Sequence, residues 1–141
     1  MGRSVAGLST KIHVLVDGLG NGIAIQLEPG NLHDSVNALE LLEPIAGQIN
    51  TEKVNIIADK AYNSKKIMGF IVESGGTTTI PPKHNQIDPW EIDKHTYKER
   101  HLIECFISYL KEFRRIATRY DCLASIFTAF IMIRMIMHIT R

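Results

Sequence analysis

The 141-residue sequence is poor in residues that announce a specialised chemistry by themselves. It has two cysteines, Cys105 and Cys122, at no metal-ligand or redox spacing, so neither a zinc framework nor a disulfide scaffold is expected. The opening MGRSVAGLST holds an arginine but no apolar core segment, which argues against a secretory signal. Long hydrophobic runs are missing as well. The most apolar stretch, Ala124 to Ile139, is interrupted by Arg134 and His138, is too short to span a bilayer, and is expected to be a core helix. These absences predict a cytoplasmic protein with no membrane partner. There is no repeat, low-complexity tract or interdomain linker, and no nucleophile elbow, P-loop or zinc cluster.

What is present is the composition of a folded globule, 45% hydrophobic and 22% charged, at a length that suits one ordinary domain. A net charge of +1 argues, as an average, against a nucleic-acid partner. The average hides a local excess. Between Lys94 and Arg119 stand seven basic residues (Lys94, Lys98, Arg100, Lys111, Arg114, Arg115, Arg119) against three acids, Glu99, Glu104 and Glu112. A basic stripe on one element is a better sign of a phosphate partner than the charge of the whole chain.

Hydrophobic periodicity and turn residues set out the elements. Met1 to Ser9 is small and predicted flexible. Thr10–Val16 and Ile23–Leu27 read as strands of a hairpin joined by Asp17-Gly-Leu-Gly-Asn-Gly22, a loop rich in residues that accept positive φ. Asp34 or Ser35 can cap a helix over 35–46 with Leu39, Leu42 and Ile45 inward. Val54–Ala58 looks like a strand buried on both faces and paired in parallel after a crossover. A helix over 64–74 is stopped by Gly75-Gly76, and Thr77–Ile80 is a short strand ended by Pro81-Pro82. After a polar loop, one helical pattern runs from Lys94 to about Arg119 and another from Leu123 to Thr140. The order β-β-α-β-α-β-α-α predicts an α/β layer architecture.

Two acidic residues stand out. Asp59 directly follows the apolar run Val54–Ala58, and the carboxyl end of a buried strand is where α/β folds place ligands. A simple cap or turn role describes Asp59 equally well. In the long helical segment, Tyr97, Arg100, Glu104 and Lys111 fall within a stripe about 60° wide, extended by Ser108 and Arg115. Leu102, Ile103, Phe106, Leu110 and Phe113 collect opposite, as a buried face would. Glu104 four residues after Arg100 also fits an ordinary helix salt bridge. A metal-assisted phosphoryl transfer would explain why one acid is outnumbered by bases, since carboxylates hold Mg²⁺ while Arg and Lys hold the phosphates. Tyrosine or arginine can stack on an unpaired base.

The spacing Tyr-x2-Arg-x3-Glu-x6-Lys, complete here as Tyr97, Arg100, Glu104 and Lys111, resembles the signature of a large group of insertion-sequence DDE transposases. Gly-Leu-Ser-Thr-Lys-Ile-His13, Pro29-Gly30 with His33-Asp34-Ser35, Ile57-Ala-Asp-Lys-Ala-Tyr62, Ile80-Pro-Pro-Lys83 and Phe113-Arg-Arg-Ile-Ala-Thr-Arg-Tyr120 are similar to the same group, in order and over nearly the whole chain. The resemblance implies an RNase H-like fold over residues 1–141, incomplete at its N-terminus. It implies DNA cleavage and strand transfer with a two-ion Mg²⁺ or Mn²⁺ site in the complete domain. Asp59 matches the second and Glu104 the third acidic residue, as catalytic groups and metal ligands. Tyr97, Arg100 and Lys111 match positions expected near the DNA of the terminal repeats, and Arg115 continues their stripe. The first aspartate lies, in that group, on a strand upstream of the segment matching Gly2 to Gly7. Asp17 belongs to a turn and is not its replacement. The chain is therefore expected to be either a second reading frame completed by an upstream product, or a truncated inactive remnant that at most binds DNA or a full-length transposase. The active complex is expected to contain more than one copy, and the isolated chain to fold poorly.

Other residues have plainer expectations. Asp34 is read as a cap rather than a ligand with His33. His13 is expected to face solvent, Trp90 to anchor a loop, and Met132, Met135 and Met137 to be core or partner-facing.

Overall fold

The computed structural model describes residues 2–4, 7–32, 38–46 and 54–140. The expected helix cap, Asp34 or Ser35, and the neighbouring His33 lie outside them. The chain divides into two compact units, one of residues 1–30 with 101–141 and one of residues 31–100. Its topology is mixed α/β, consistent with the RNase H-like arrangement the resemblance implies.

The first unit is built on an antiparallel sheet of β1 (Gly2–Ser4), β2 (Gly7–Val16) and β3 (Gly22–Pro29), in that order. Strand β1, in a segment expected to be flexible, pairs Gly2 with Ser9 and Ser4 with Gly7. The β2–β3 hairpin turns where its loop residues predict. The Asp17 carboxylate accepts hydrogen bonds from the backbone N–H of Leu19 (2.8 Å) and Asn21 (2.9 Å) and from Asn21 Nδ2 (3.1 Å). Gly20 takes φ 85°, a conformation closed to most side chains. Ile12, Val14, Val16, Ile25 and Leu27 alternate onto one face and pack on the buried Phe106, Tyr109, Leu110, Ile116, Phe127, Ile131 and Met135. Gly22 lets the helices come close, since a Cβ there would lie 2.6 Å from Phe106 Cζ.

The other face of the hairpin corrects the expectation for His13. Its ring is buried, only 4% exposed, with Nε2 3.3 Å from Oε2 of the equally buried Glu28 on the neighbouring strand. Alternation gives the parity of a strand residue but not whether its face meets water. The imidazole therefore lies beside a buried carboxylate rather than in water.

The helices of this unit are α4 (His101–Glu112), α5 (Arg114–Ala117) and α6 (Ala124–Ile139). The single helix expected over 94–119 is instead three segments. A short α3 (Lys94–Lys98), capped by Asp93, closes the second unit. Its last turn tightens: the N–H of Glu99 reaches Thr96 O and that of Arg100 reaches Tyr97 O, both spanning three residues. A second break falls at Phe113, whose extended backbone (φ −83°, ψ 106°) starts α5 and leaves its ring 42% exposed rather than inward. Helix α6 buries only one face, so the expected core helix is half correct. Among the described residues no helix is long and apolar enough to cross a membrane.

The second unit holds α1 (Ala38–Ala46), β4 (Asn55–Ile57), α2 (Lys65–Glu73) and β5 (Thr77–Thr79). Strands β4 and β5 pair in parallel, as expected of a crossover. The Asn55 side chain fixes their register, donating to Thr79 Oγ1 (2.9 Å) and accepting from Thr77 Oγ1 (3.2 Å). β4 is not buried on both faces: Asn55 is exposed and Ile56 and Ile57 are half-buried. Helix α2 ends at its predicted stop and begins at a cap, Ser64, that was expected inside the helix. The Ser64 side chain accepts from the Ile67 N–H (3.2 Å), and Gly75 at φ 82° ends it with Gly76 N–H bonded to Ile71 O. Ala38, Leu39, Ile67 and Ile71 form the small core of this unit.

Candidate active site

Asp59 leaves β4 after one intervening residue and is exposed. It caps a single 3₁₀ turn over Lys60–Tyr62, accepting from Ala61 N–H at 3.4 Å. That distance is long for a capping bond. The turn role and the strand-end position therefore coexist. Below Asp59 the anchoring is firmer. Buried Asn63 donates to Pro81 O (2.9 Å), tying the turn to the segment after β5, and Trp90 Nε1 donates to Ile80 O (3.0 Å). Trp90 thus anchors its loop, as expected.

Glu104 stands exposed in the first turn of α4, where the positive end of the helix dipole favours a carboxylate. Ser108 and Lys111 are exposed as well, while Phe106, Tyr109 and Leu110 are buried. Glu104 and Lys111 are two turns apart, about 10 Å along the axis. A polar side presented by a packed helix is what the stripe predicted within α4. Tyr97 and Arg100 lie in the second unit, with the Arg100 guanidinium 5.7 Å from the Tyr97 ring centroid. Asp59 belongs to that unit too, whereas Glu104, Lys111 and Arg115 belong to the first.

Part of the basic excess has structural work that sequence reasoning did not foresee. Arg115 is on α5, paired edge-on with Asp121 (Nε to Oδ2 3.2 Å, Nη2 to Oδ1 3.0 Å) and lying 3.9 Å over the Phe130 ring. This pairing holds the Asp121 carboxyl below its ordinary value. Arg119 donates to Thr10 Oγ1, Asp121 O (2.9 Å) and Cys122 O (3.3 Å), fastening the α5–α6 turn onto β2. An aspartate six positions after Arg115 was the available sign. Among the described residues, no three His, Cys, Asp or Glu side chains group so as to hold a metal ion.

Comparison with known proteins agrees with this architecture. Residues 2–139 match the family described as Transposase DDE domain. A Brucella ovis protein named "Putative transposase for insertion sequence element IS6501" is 34% identical over 127 residues, covering 88% of this chain and 92% of that protein. No solved structure matches. A mixed α/β chain matched from its second residue to its α6 by one family, and along most of the length of that relative, belongs to the DDE transposase domain family.

Proposed function

We propose that this chain supplies the second and third acidic residues, Asp59 and Glu104, of an RNase H-like catalytic domain that cuts and rejoins DNA at the terminal repeats of an insertion sequence. The observation that carries the reading is Glu104 itself. It is exposed at the start of a packed helix, inside the complete Tyr97–Arg100–Glu104–Lys111 spacing, in a chain of the transposase family. Both acids are exposed oxygen donors, a donor chemistry that fits Mg²⁺ or Mn²⁺. Bound ions of this kind stabilise charge developing on a reacting phosphate.

The remaining roles belong to the protein. Lys111 and Arg100 neutralise phosphates flanking the cut, and Tyr97, with Arg100 beside its ring, stacks on a base at the strand end. Arg115 adds to the phosphate contacts from its guanidinium edge away from Asp121. The first aspartate comes from a strand of an upstream reading-frame product, set beside β4, which among the described residues pairs with β5 only and so offers a second edge. The active complex holds several copies. A second reading is an inactive remnant that binds DNA or a complete transposase.

One experiment separates them. The chain alone should not cleave transposon-end DNA with either ion. Completed with the upstream segment it should cleave, and Glu104→Ala or Asp59→Ala should then lower the rate by about a thousandfold or more while leaving end binding nearly intact. Lys111→Ala should weaken binding and reduce its salt slope by about one. A completed chain that binds but never cleaves selects the remnant. Loss of binding without loss of cleavage at saturating DNA in Glu104→Ala would make Glu104 a salt-bridge residue.

A further inference from the structure

From Leu123 to Thr140 the chain carries one formally charged side chain, Arg134. It turns inward, 3.8 Å over the Tyr109 ring and 3.0 Å from Glu112 Oε2. The inner face of α6 is Phe127, Ile131 and Met135, all buried. A second apolar face looks outward. Ile126, Ala129, Ile133 and Ile136 follow one another at three-, four- and three-residue steps, the rhythm of a helix pairing with a helix. Met132 and Met137 flank them. Ile126 is 42% exposed, Met132 51%, Ile133 53%, Ile136 61%, Met137 51% and Ile139 59%. Single exposed apolar residues are ordinary, but a helix face with no charge along its length is not.

We propose that this face of α6 pairs with the same face of a second copy of the chain, antiparallel, about a two-fold axis through Ile133. Three properties select that occupant. The face offers nothing to a charged partner or to phosphates, and it is its own best chemical complement. Six half-exposed side chains at about 100 Å² each bury roughly 1,200 Å² over two copies, above the about 1,000 Å² that a biological contact requires. Ile133 is also central, seven residues after Ile126 and six before Ile139, the ends of the exposed apolar set. An antiparallel pair centred there sets Ile133 on its own mate and small Ala129 opposite bulky Met137, and it opposes the two helix dipoles. Nothing in the pairing depends on Asp59 or Glu104 being catalytic.

Sedimentation equilibrium on the full chain tests it, with circular dichroism to follow helix content. A dimer is expected, and Ile133→Glu, which sets two carboxylates against each other at the axis, should raise its Kd by about a hundredfold or more. With Cys105 and Cys122 replaced by serine, Ile133→Cys should oxidise to a covalent dimer, and Leu19→Cys at the hairpin tip should not. Should Ile133→Glu lose helicity, the cross-link decides. A monomer at the highest soluble concentration, a dimer indifferent to Ile133→Glu, or a monomer that instead binds phosphatidylcholine vesicles through this face would each overturn the proposal.

Discussion

Glu104 rises from a twelve-residue helix whose inner side is Phe106, Tyr109 and Leu110, seated on a long hairpin. Asp59 leaves a three-residue strand, holds one long cap bond, and is steadied by amide and indole hydrogen bonds to the segment beyond β5. The first acid is positioned by apolar packing and the second by polar ties over a small core. Packing resists displacement in every direction at once, whereas a few hydrogen bonds fix a loop only along their own axes. The two acids therefore answer to different kinds of damage.

The largest expected contrast is between the two cores. Phe106→Ala, at a side chain 1% exposed, should cost about 3–5 kcal/mol, and Ile71→Ala in the second unit about 2–4 kcal/mol. Urea titrations followed by circular dichroism measure both, and a greater loss from Ile71→Ala would reverse the ranking of the two supports. Asn63→Ala comes next, at about 1–2 kcal/mol, because the Pro81 carbonyl loses its amide donor. Hydrogen exchange should rise near residues 81–90 and stay unchanged in α4. Equal protection loss in both places would remove the distinction between polar and apolar anchoring.

The smallest effect depends on pH. Burial alone would raise the Asp17 carboxyl, but hydrogen bonds from the Asn21 backbone and side chain, and from the Leu19 and Gly20 N–H groups, hold it below its ordinary value. Its contribution is thus present above the unfolded value near about pH 3.9 and is lost as the pH falls through the lower folded value. Asp17→Asn should lower the melting temperature slightly at neutral pH, with the deficit closing in acid. A deficit that never closes as acid is added, down to the acid unfolding of the protein, would mean that the turn is held by geometry rather than charge.

Much of this arrangement is legible in particular residues. Asp17 to Gly22 specify a turn, Ser64 and Gly75 bracket a helix, and the apolar run before Asp59 marks a parallel strand, since each depends on local chemistry. The break at Glu99–Arg100 has no glycine or proline to announce it, and helical periodicity continues across a tightened turn. His13 was misread because alternation cannot say what covers a strand's second face. At the candidate site, the exposure of Glu104 followed from the apolar residues opposite it. The ion pair of Arg115 with Asp121 did not, since it forms across a bend between helices, and charge counting treats every arginine as available.

The Trp90 tether has an optical consequence. It is the chain's one tryptophan, its indole bonded to Ile80 O within residues 31–100, while among the described residues the α-helices of 101–139 (12, 4 and 16 residues) outweigh those of 38–98 (9, 9 and 5 residues). Indole emission consequently reports on the Asp59 side of the protein alone, and far-ultraviolet ellipticity is weighted toward the Glu104 side. If the two signals change at different denaturant concentrations, the units melt separately, and the protein carries a built-in label that tells which acid loses its support first.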